Sequence, residues 1–145
     1  MLSVASVATA APAPGVQVAD LAEQYVGSRY VWGGASPAGF DCTGFVLWVF
    51  GQFGVSLPRS EAGQLNSGAP VAAENLQPGD VLVFANTYRG GLSHVGIYIG
   101  EGQFVHAVDE AHGVMVNYLW DDYWGPRFIG GSRPIELAEK TSVTR

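Results

Sequence analysis

The sequence predicts an α+β protein, in which N-terminal helices and a buried central helix pack on a mostly antiparallel sheet of about five to six strands. Apolar residues recur at helical spacing in the first half of the chain, and strand-like segments follow in the second half. Twenty glycines and eight prolines indicate many turns. Helices first and strands later, joined by short connections, favour an antiparallel sheet packed on the buried helix.

Three helices are expected, and the second is the most informative. Residues 16–28 place apolar side chains on one face, which predicts an amphipathic helix. Six consecutive apolar residues within 42–53 leave no face for water, as in a buried central helix, with Asp41 as its N-cap and Gly54 as its stop. A short third helix is expected near residues 60–66.

The strand-like segments begin after a turn at residues 75–80. The period of the apolar residues changes there from helical to strand-like. The predicted strands are Val81 to Ala85, His94 to Ile99, Gln103 to Val108, Val114 to Leu119 and Phe128 to Gly131. Only a short turn, Gly100-Glu101-Gly102, separates the second strand from the third, so we expect these two to form a hairpin.

Composition narrows the classes of function. A chain of 145 residues fits one domain, and 48% hydrophobic content supports a substantial core. The net charge of −6, with scattered basic residues, gives no footprint for nucleic acid, and no apolar stretch is long enough to span a membrane. A single cysteine excludes an intrachain disulfide and a CxxC zinc site. Neither a cofactor nor an assembly beyond a monomer is indicated.

The two ends differ from the predicted domain at residues 16–134. Residues 1–15 are small and apolar and contain Ala8-Thr9-Ala10, an A-x-A pattern like the end of a secretory signal, although no Lys or Arg precedes it. We interpret this segment as a signal-peptide remnant or a linker, which favours export. Residues 135–145 are expected to form a polar C-terminal tail.

Cys42 stands at the predicted start of the central helix, directly after Asp41. A free thiol has a pKa of about 8.5, and a helix N-terminus with a histidinium nearby lowers it to roughly 3.5–7.5. The unpaired backbone N–H groups of a first helical turn can also hold a developing oxyanion. The position therefore suits a nucleophile, provided that the Asp41 carboxylate points away from sulfur; the alternative is a small buried apolar residue.

Two histidines fall on the predicted hairpin, His94 on its first strand and His106 on its second. If the register pairs even-numbered residues with even-numbered ones, both side chains share a face and lie opposite or one step diagonal, within contact distance. His94 is then a candidate base and His106 the residue that orients it, with Gly96 leaving room beside His106. His112 falls in a turn, and we expect it to be exposed without a catalytic role.

Six short motifs follow one another along residues 16–134. They are Tyr30-Val31-Trp32-Gly33-Gly34, Phe40-Asp41-Cys42-Thr43-Gly44-Phe45, Leu57-Pro58-Arg59-Ser60, Leu76-Gln77-Pro78-Gly79-Asp80, Ser93-His94-Val95-Gly96-Ile97-Tyr98-Ile99-Gly100 and Phe104-Val105-His106-Ala107. Each alone is a weak signal, but together and in this order they resemble the NlpC family of bacterial cell-wall cysteine peptidases.

The resemblance implies a papain-like core with Cys42 as nucleophile, His94 as base and His106 as third member of a triad. Tyr30 would stand near the thiol and help to hold the oxyanion or the substrate. The substrate-binding residues that it implies are Trp32, Asp41, Arg59, Ser60 and Ser93. The alternatives are core packing for Tyr30 and Trp32, a plain surface position for Arg59, and support of a strand end by Ser93.

The resemblance also implies a substrate. The family mostly cleaves peptidoglycan stem peptides, typically between D-γ-glutamyl and a diamino acid such as meso-diaminopimelate, in a secreted or cell-wall location and without a metal. Two departures from the family pattern are mild: Thr43 stands where serine is usual, and residues 86–92 form a longish loop before His94. We expect this loop to rim the substrate groove.

Other functions stay open. An amidase or acyltransferase on the same scaffold, a wall-binding module without activity, and a metal site built from the cysteine and the two histidines are the alternatives. The aromatic residues near the last strand, which invite a sugar-stacking interpretation, are expected instead to pack that strand onto the core. They are Trp120, Tyr123 and Trp124.

Overall fold

The structure is a computed structural model, and it describes residues 12–135. The A-x-A pattern at residues 8–10 and all but the first residue of the predicted tail lie outside the described residues. Within them, Ile135 is buried in the core. None of the described helices has the length and apolar character needed to cross a bilayer.

Three α-helices are present in the described chain: α1 (Pro14–Gln24), α2 (Cys42–Gly51) and α3 (Glu61–Leu65). α1 begins two residues earlier than expected, because a proline is well suited to a first helical turn. It also ends earlier, since the chain turns at Gly27, whose φ of +95° favours glycine. α2 starts at Cys42 as predicted, because the side chain of Asp41 accepts a hydrogen bond from the Gly44 amide at 2.7 Å.

Eight strands are described. They are β1 (Ala35–Ser36), β2 (Gly39–Phe40), β3 (Ala69–Val71), β4 (Val81–Ala85), β5 (Leu92–Gly100), β6 (Gln103–Ala107), β7 (Val114–Tyr118) and β8 (Phe128–Arg133). β1 and β2 form a small hairpin, and the other six form one antiparallel sheet in the order β3-β8-β4-β5-β6-β7. The predicted α+β class with an antiparallel sheet of five to six strands is confirmed.

The sheet is covered on both faces, which explains why β4 is buried at every position. Val81 and Val83 point into the larger core with α1 and α2, whereas Leu82 and Phe84 point into a second aromatic cluster on the opposite face. α2 is buried along most of its length, as its apolar sequence predicts. Its first residue is thereby held against the middle of the sheet.

The β5–β6 hairpin has the register on which the histidine prediction depends. Ile97 pairs with Val105 and Tyr98 with Phe104, so even-numbered residues oppose even-numbered ones. The ladder shifts only at the turn end, beside Gly100. His94 and His106 therefore lie on the same face of the sheet, one step apart on the diagonal, as predicted.

Candidate active site

The Cys42 thiol lies at the first turn of α2 and is 7% exposed. The backbone N–H groups of Thr43, in the first turn of the helix, and of Val95, the residue after His94 on β5, both act to lower the pKa of the thiol. These two N–H groups favour the thiolate, as the start of a helix is expected to do.

Other groups outweigh that effect. Burial, followed by the carboxylates of Glu61 and Asp41, raises the pKa of the Cys42 thiol to about 12. This direction is opposite to the lowering that a helix start and a nearby histidinium predict. The reason is tertiary, since the thiol is desolvated and faces two acidic side chains, while the neighbouring histidine is neutral.

The two histidines form one hydrogen-bonded pair. His94 Nε2 lies 2.7 Å from His106 Nδ1, and both rings are buried. Because Nε2 of His94 is engaged by His106, its Nδ1 is the nitrogen left to act on the thiol. Gly96 makes this close pairing possible, since a Cβ there would lie 2.8 Å from the Phe104 ring and 3.1 Å from His106 Cβ.

Both imidazoles are held neutral. Burial, with His106 as a second cause, lowers the pKa of His94 well below its usual value. Burial also lowers the pKa of His106 to about 4, although a hydrogen bond to Asn117 opposes the shift. Trp124 contributes to the burial, because its ring stacks on His94 at 5.0 Å and meets the His106 ring edge-on at 4.9 Å. Packing, the expected role of Trp124, is what the structure shows for it.

Asn117 contacts His106, and the sequence motifs did not reveal this contact. It lies on β7, and its Oδ1 is 2.7 Å from His106 Nε2. A signal was present in the sequence, since this residue is the one amide in the apolar and aromatic strand Val114–Tyr118. Without the register between β6 and β7, however, nothing indicated that its side chain lies on the face that carries the histidines.

A cavity of about 200 Å³ opens in front of the thiol. Eight residues line it, including five of the predicted site residues; they are Tyr30, Trp32, Asp41, Cys42, Thr43, Arg59, Glu61 and Tyr88. A larger cavity of about 540 Å³ lies elsewhere, along β3 and the following turn, and no cysteine or histidine lines it. The thiol therefore opens to the smaller cavity, whose lining does not include His94 or His106.

Tyr30 stands at the wall of that cavity, where a β-bridge to Phe40 fixes its backbone. Burial, followed by the charges of Cys42 and Asp41, raises the pKa of its hydroxyl to about 12. The phenol stays protonated at neutral pH and can donate a hydrogen bond into the cavity.

The Asp41 carboxylate is held by partners other than the sulfur, and its charge raises the pKa of the thiol. Arg59 donates from Nη1 to Oδ1 at 2.8 Å and from Nη2 to Oδ2 at 3.1 Å, and the Gly33 amide donates to Oδ2 at 2.9 Å. Arg59 also donates to the hydroxyl of Thr43. The aspartate thus ties the helix cap to one wall of the cavity.

Ser60 and Ser93 lie outside the lining of the cavity. The Ser60 side chain is the N-cap of α3, where it accepts a hydrogen bond from the Gly63 amide at 3.0 Å. Ser93 is fully buried, and its hydroxyl pairs with the amide and the hydroxyl of Thr87, at 2.9 and 2.6 Å. Both hydroxyls therefore hold backbone segments in place, and for Ser93 this agrees with the alternative of strand-end support.

The loop before His94 reaches across the cavity, as expected. Tyr88 meets Trp32 edge-on at 6.0 Å, and these two side chains are 56% and 71% exposed. Arg89 pairs with Glu61 at 3.1 Å. The loop, which spans residues 86–91, therefore contacts both the Tyr30 segment and α3, and it rims the groove through Tyr88.

The geometry of the histidine pair argues against a metal site built from Cys42, His94 and His106. Two ring nitrogens that hydrogen bond to each other cannot both direct a lone pair at one ion. Within residues 12–135, moreover, no group of three or more His, Cys, Asp or Glu side chains is arranged to hold a metal. The Cys42–His94–His106 set is better suited to proton transfer.

An antiparallel sheet packed on a buried helix, with a cysteine at the helix start and paired histidines on the adjoining strands, defines a papain-like class of α+β domain. Residues 27–133 match the family described as NlpC/P60. The chain belongs to this family, and the predicted resemblance is confirmed.

Sequence relatives agree with this assignment. The chain is 47% identical over 117 residues to the gamma-DL-glutamyl hydrolase of Bacillus subtilis. These aligned residues cover 79% of this chain and 28% of that protein. The chain is 48% identical over 101 residues to a probable endopeptidase of Mycobacterium tuberculosis, covering 70% and 25%. The chain thus spans about a quarter of the length of these curated relatives.

Solved structures show the same fold. An NlpC/P60 family protein from Bacillus cereus superposes with a TM-score of 0.77 at 31% identity, covering 84% of this chain and 40% of that one. The NlpC/p60 domain of the peptidoglycan hydrolase SagA superposes with a TM-score of 0.71 at 31% identity, covering 83% and 98%. The SagA domain is therefore matched over almost its whole length.

Proposed function

We propose that this chain is a cysteine endopeptidase that hydrolyses peptidoglycan stem peptides, at the bond between D-γ-glutamyl and a diamino acid such as meso-diaminopimelate. The observation that carries the proposal is the buried Cys42 thiol at a helix start and open to a cavity, with a hydrogen-bonded histidine pair on the adjoining strands β5 and β6. The printed names of two relatives, a gamma-DL-glutamyl hydrolase and a peptidoglycan hydrolase, support the substrate class.

Acylation begins from an uncharged pair. Because the pKa of Cys42 is raised and that of His94 is lowered, the thiol gives its proton to His94 Nδ1 while sulfur attacks the carbonyl carbon of the scissile amide. The carbonyl oxygen becomes an oxyanion. The backbone N–H groups of the first turn of α2 and the Tyr30 hydroxyl are the donors that stabilise it.

Collapse of the tetrahedral intermediate breaks the C–N bond. His94, now an imidazolium, returns its proton to the leaving nitrogen, so the diamino acid departs as an amine. Water then attacks the thioester, again with His94 as base, and the glutamyl carboxylate and the free thiol are released. His106 holds the imidazolium in place through its hydrogen bond to Nε2.

The proposal includes a setting for the reaction. Peptidoglycan lies outside the cytoplasm, so the chain would act in a secreted or cell-wall-associated form, in keeping with the A-x-A pattern at residues 8–10. With a net charge of −6, recognition of the wall would depend on the shape and hydrogen bonds of the groove rather than on charge. No second copy is needed to complete the site, so a monomer suffices.

Mass spectrometry of purified muropeptides tests the proposal. We expect the wild-type protein to cleave the D-Glu–diamino acid bond, and Cys42→Ala and His94→Ala to leave it intact while keeping the far-UV circular dichroism of the wild type. His112→Ala is the matched control, since this histidine is exposed and pairs only with Asp109 at 2.7 Å, and it should cleave like the wild type.

Other outcomes would overturn the proposal in distinguishable ways. Cleavage of another bond in a defined stem peptide would identify the amidase or acyltransferase alternative by product mass. Binding without any product, while Cys42 is still alkylated by iodoacetamide, would favour a wall-binding module. One equivalent of bound zinc in elemental analysis would favour the metal alternative.

A further inference from the structure

The hydrogen-bonded chain does not stop at the histidine pair. Asn117 lies on β7, the edge strand next to β6, where it is paired with Phe104 and is diagonal to His106 on the same face. Its Oδ1 is 2.7 Å from His106 Nε2, while His106 Nδ1 is 2.7 Å from His94 Nε2. Three side chains are thus joined by hydrogen bonds in the order Asn117, His106 and His94.

The oxygen of an amide fixes the protons along this chain. A carbonyl oxygen only accepts, so His106 Nε2 must carry the hydrogen that it donates to Asn117. A neutral imidazole has one N–H, so His106 Nδ1 is bare and accepts from His94 Nε2. His94 then has its own hydrogen on Nε2, and its Nδ1 keeps the lone pair that a base for Cys42 requires.

The opposite orientation of the amide would disable the base. If the Asn117 nitrogen donated to His106 Nε2, then His106 Nδ1 would carry the hydrogen and donate to His94 Nε2. His94 would in turn hold its hydrogen on Nδ1, which could not accept a proton from the thiol. One hydrogen-bond acceptor on the edge strand therefore decides whether the site can begin its reaction.

We propose that Asn117 is a positioning residue that holds His106 in the Nε2–H tautomer and thereby keeps His94 Nδ1 unprotonated toward Cys42. This inference rests on the proposed function for its catalytic meaning, but the tautomers themselves do not depend on any substrate.

The use of an amide rather than a carboxylate follows from the surroundings of the pair. His106 and His94 are buried under Trp124, and the acidic groups that act on His106 are Asp109 and Asp121. A neutral acceptor orients the ring without adding a buried negative charge. When His94 takes up the thiol proton, each N–H in the chain already points at an acceptor, so no group has to turn.

Nitrogen NMR of the histidine side chains tests the assignment. In protein labelled with ¹⁵N-histidine at pH 8, we expect His94 and His106 each to be protonated at Nε2 and bare at Nδ1. In Asn117→Leu, which has a similar volume but no acceptor, His106 should populate both tautomers. Asn117→Asp keeps an accepting oxygen and should restore the Nε2–H form.

Kinetics on muropeptides give the second measurement. Loss of one buried hydrogen bond predicts a decrease in kcat of about tenfold for Asn117→Leu, with KM changed less than twofold. Asn117→Asp should recover to within about threefold of the wild type. Met115→Ala is the matched control, because Met115 lies on the same strand as Asn117, directly opposite His106, and offers only a weak thioether acceptor; this substitution should leave the tautomers of both histidines unchanged.

The results separate this inference from the proposed function. A wild-type spectrum with His106 protonated at Nδ1 would overturn the inference whether or not the protein cleaves muropeptides, and no variant has to fold for that result. An Asn117→Leu spectrum identical to the wild type would overturn it as well. The expected spectra together with no cleavage by the wild type would support the tautomers and contradict the proposed function alone.

Discussion

Cys42 and His94 are both uncharged in the resting protein, and this follows from where each side chain lies. Burial raises the pKa of the thiol to about 12 and lowers the pKa of His94. The positive end of α2 acts in the other direction but does not compensate for two nearby carboxylates, those of Glu61 and Asp41. In the proposed mechanism, the thiolate is therefore made during the reaction, when His94 removes the proton, rather than stored as an ion pair.

The pH dependence of thiol alkylation tests this description. Because the pKa of Cys42 lies near 12, the thiolate fraction increases about tenfold per pH unit, and the rate of reaction with iodoacetamide should rise from pH 6 to pH 10 without a plateau. Glu61→Gln removes the carboxylate that raises the pKa most, so its rate should be higher at each pH.

Stopped-flow or mass-spectrometric alkylation rates provide the measurement. Glu23→Gln, an exposed position on α1, is the matched control and should follow the wild-type curve. A rate that is constant between pH 6 and pH 8 would mean that a thiolate–imidazolium pair already exists, contrary to this expectation.

Among the elements, the β5–β6 hairpin has the most direct effect on the site. Its register places two histidines on one face, and Gly96 supplies the space in which they approach. Hydrogen bonds between Ser93 and Thr87 hold the loop that leads into β5, and Tyr88 in this loop lines the cavity. One continuous segment therefore supplies the candidate base and part of the substrate groove.

A methyl group at position 96 should disturb this hairpin. In Gly96→Ala the added Cβ lies 2.8 Å from the Phe104 ring and 3.1 Å from His106 Cβ, so both side chains must shift. Overpacking of this kind costs about 1–3 kcal/mol of the free energy of unfolding, which urea titration followed by circular dichroism measures.

The chain offers a matched control for this substitution. Gly130→Ala is also in a strand, but its added Cβ meets only Leu65 Cδ1 at 3.7 Å, an ordinary contact. Its free energy of unfolding should stay within about 0.5 kcal/mol of the wild type. Equal effects of the two substitutions would show that the space beside His106 is not the reason for glycine at position 96.

At the scale of the whole molecule, a buried ion pair ties the last strand to the middle of the sheet. Arg133 at the end of β8 donates to both oxygens of Asp80, at 2.8 and 3.0 Å, and the Gln77 amide donates to one of them at 2.7 Å. Asp80 directly precedes β4 and is 1% exposed. The pair thus closes the sheet on the side away from the thiol.

Removing one charge should weaken the whole fold without changing the site. Asp80→Asn removes the buried carboxylate charge that Arg133 contacts, which predicts a loss of about 3–5 kcal/mol in the free energy of unfolding by urea. Muropeptide cleavage per folded molecule should stay at the wild-type level. Asp122→Asn, at an exposed acidic position, is the control; a similar loss there, or full stability of Asp80→Asn, would contradict this role.

Much of this architecture follows from local pattern. The apolar run after Asp41 predicts α2, and the short turn at residues 100–102 predicts the hairpin, whereas its even-to-even register is a condition that the structure meets. By contrast, β3 contains only Ala69–Val71 with a proline in the middle, and β1 and β2 have two residues each, so no periodicity could reveal them. Such short strands exist because their neighbours supply the hydrogen bonds.

Some features of the candidate site could likewise be predicted from the sequence, and others could not. The motifs locate Cys42, His94 and His106, because their chemistry depends on residue type and strand parity. The direction of the thiol pKa and the contact of Asn117 depend instead on burial and on pairing between distant segments. Those quantities arise only when the sheet is assembled.

The protonated state of Cys42 also affects how readily its thiol is oxidised. Oxidation to sulfenic and sulfinic acids requires thiolate character and access to the oxidant. A thiol that is 7% exposed, with its pKa near 12, has little of either, and the chain has no second cysteine to form a rescuing disulfide. The burial that makes this thiol slow to ionise therefore also protects it against oxidation.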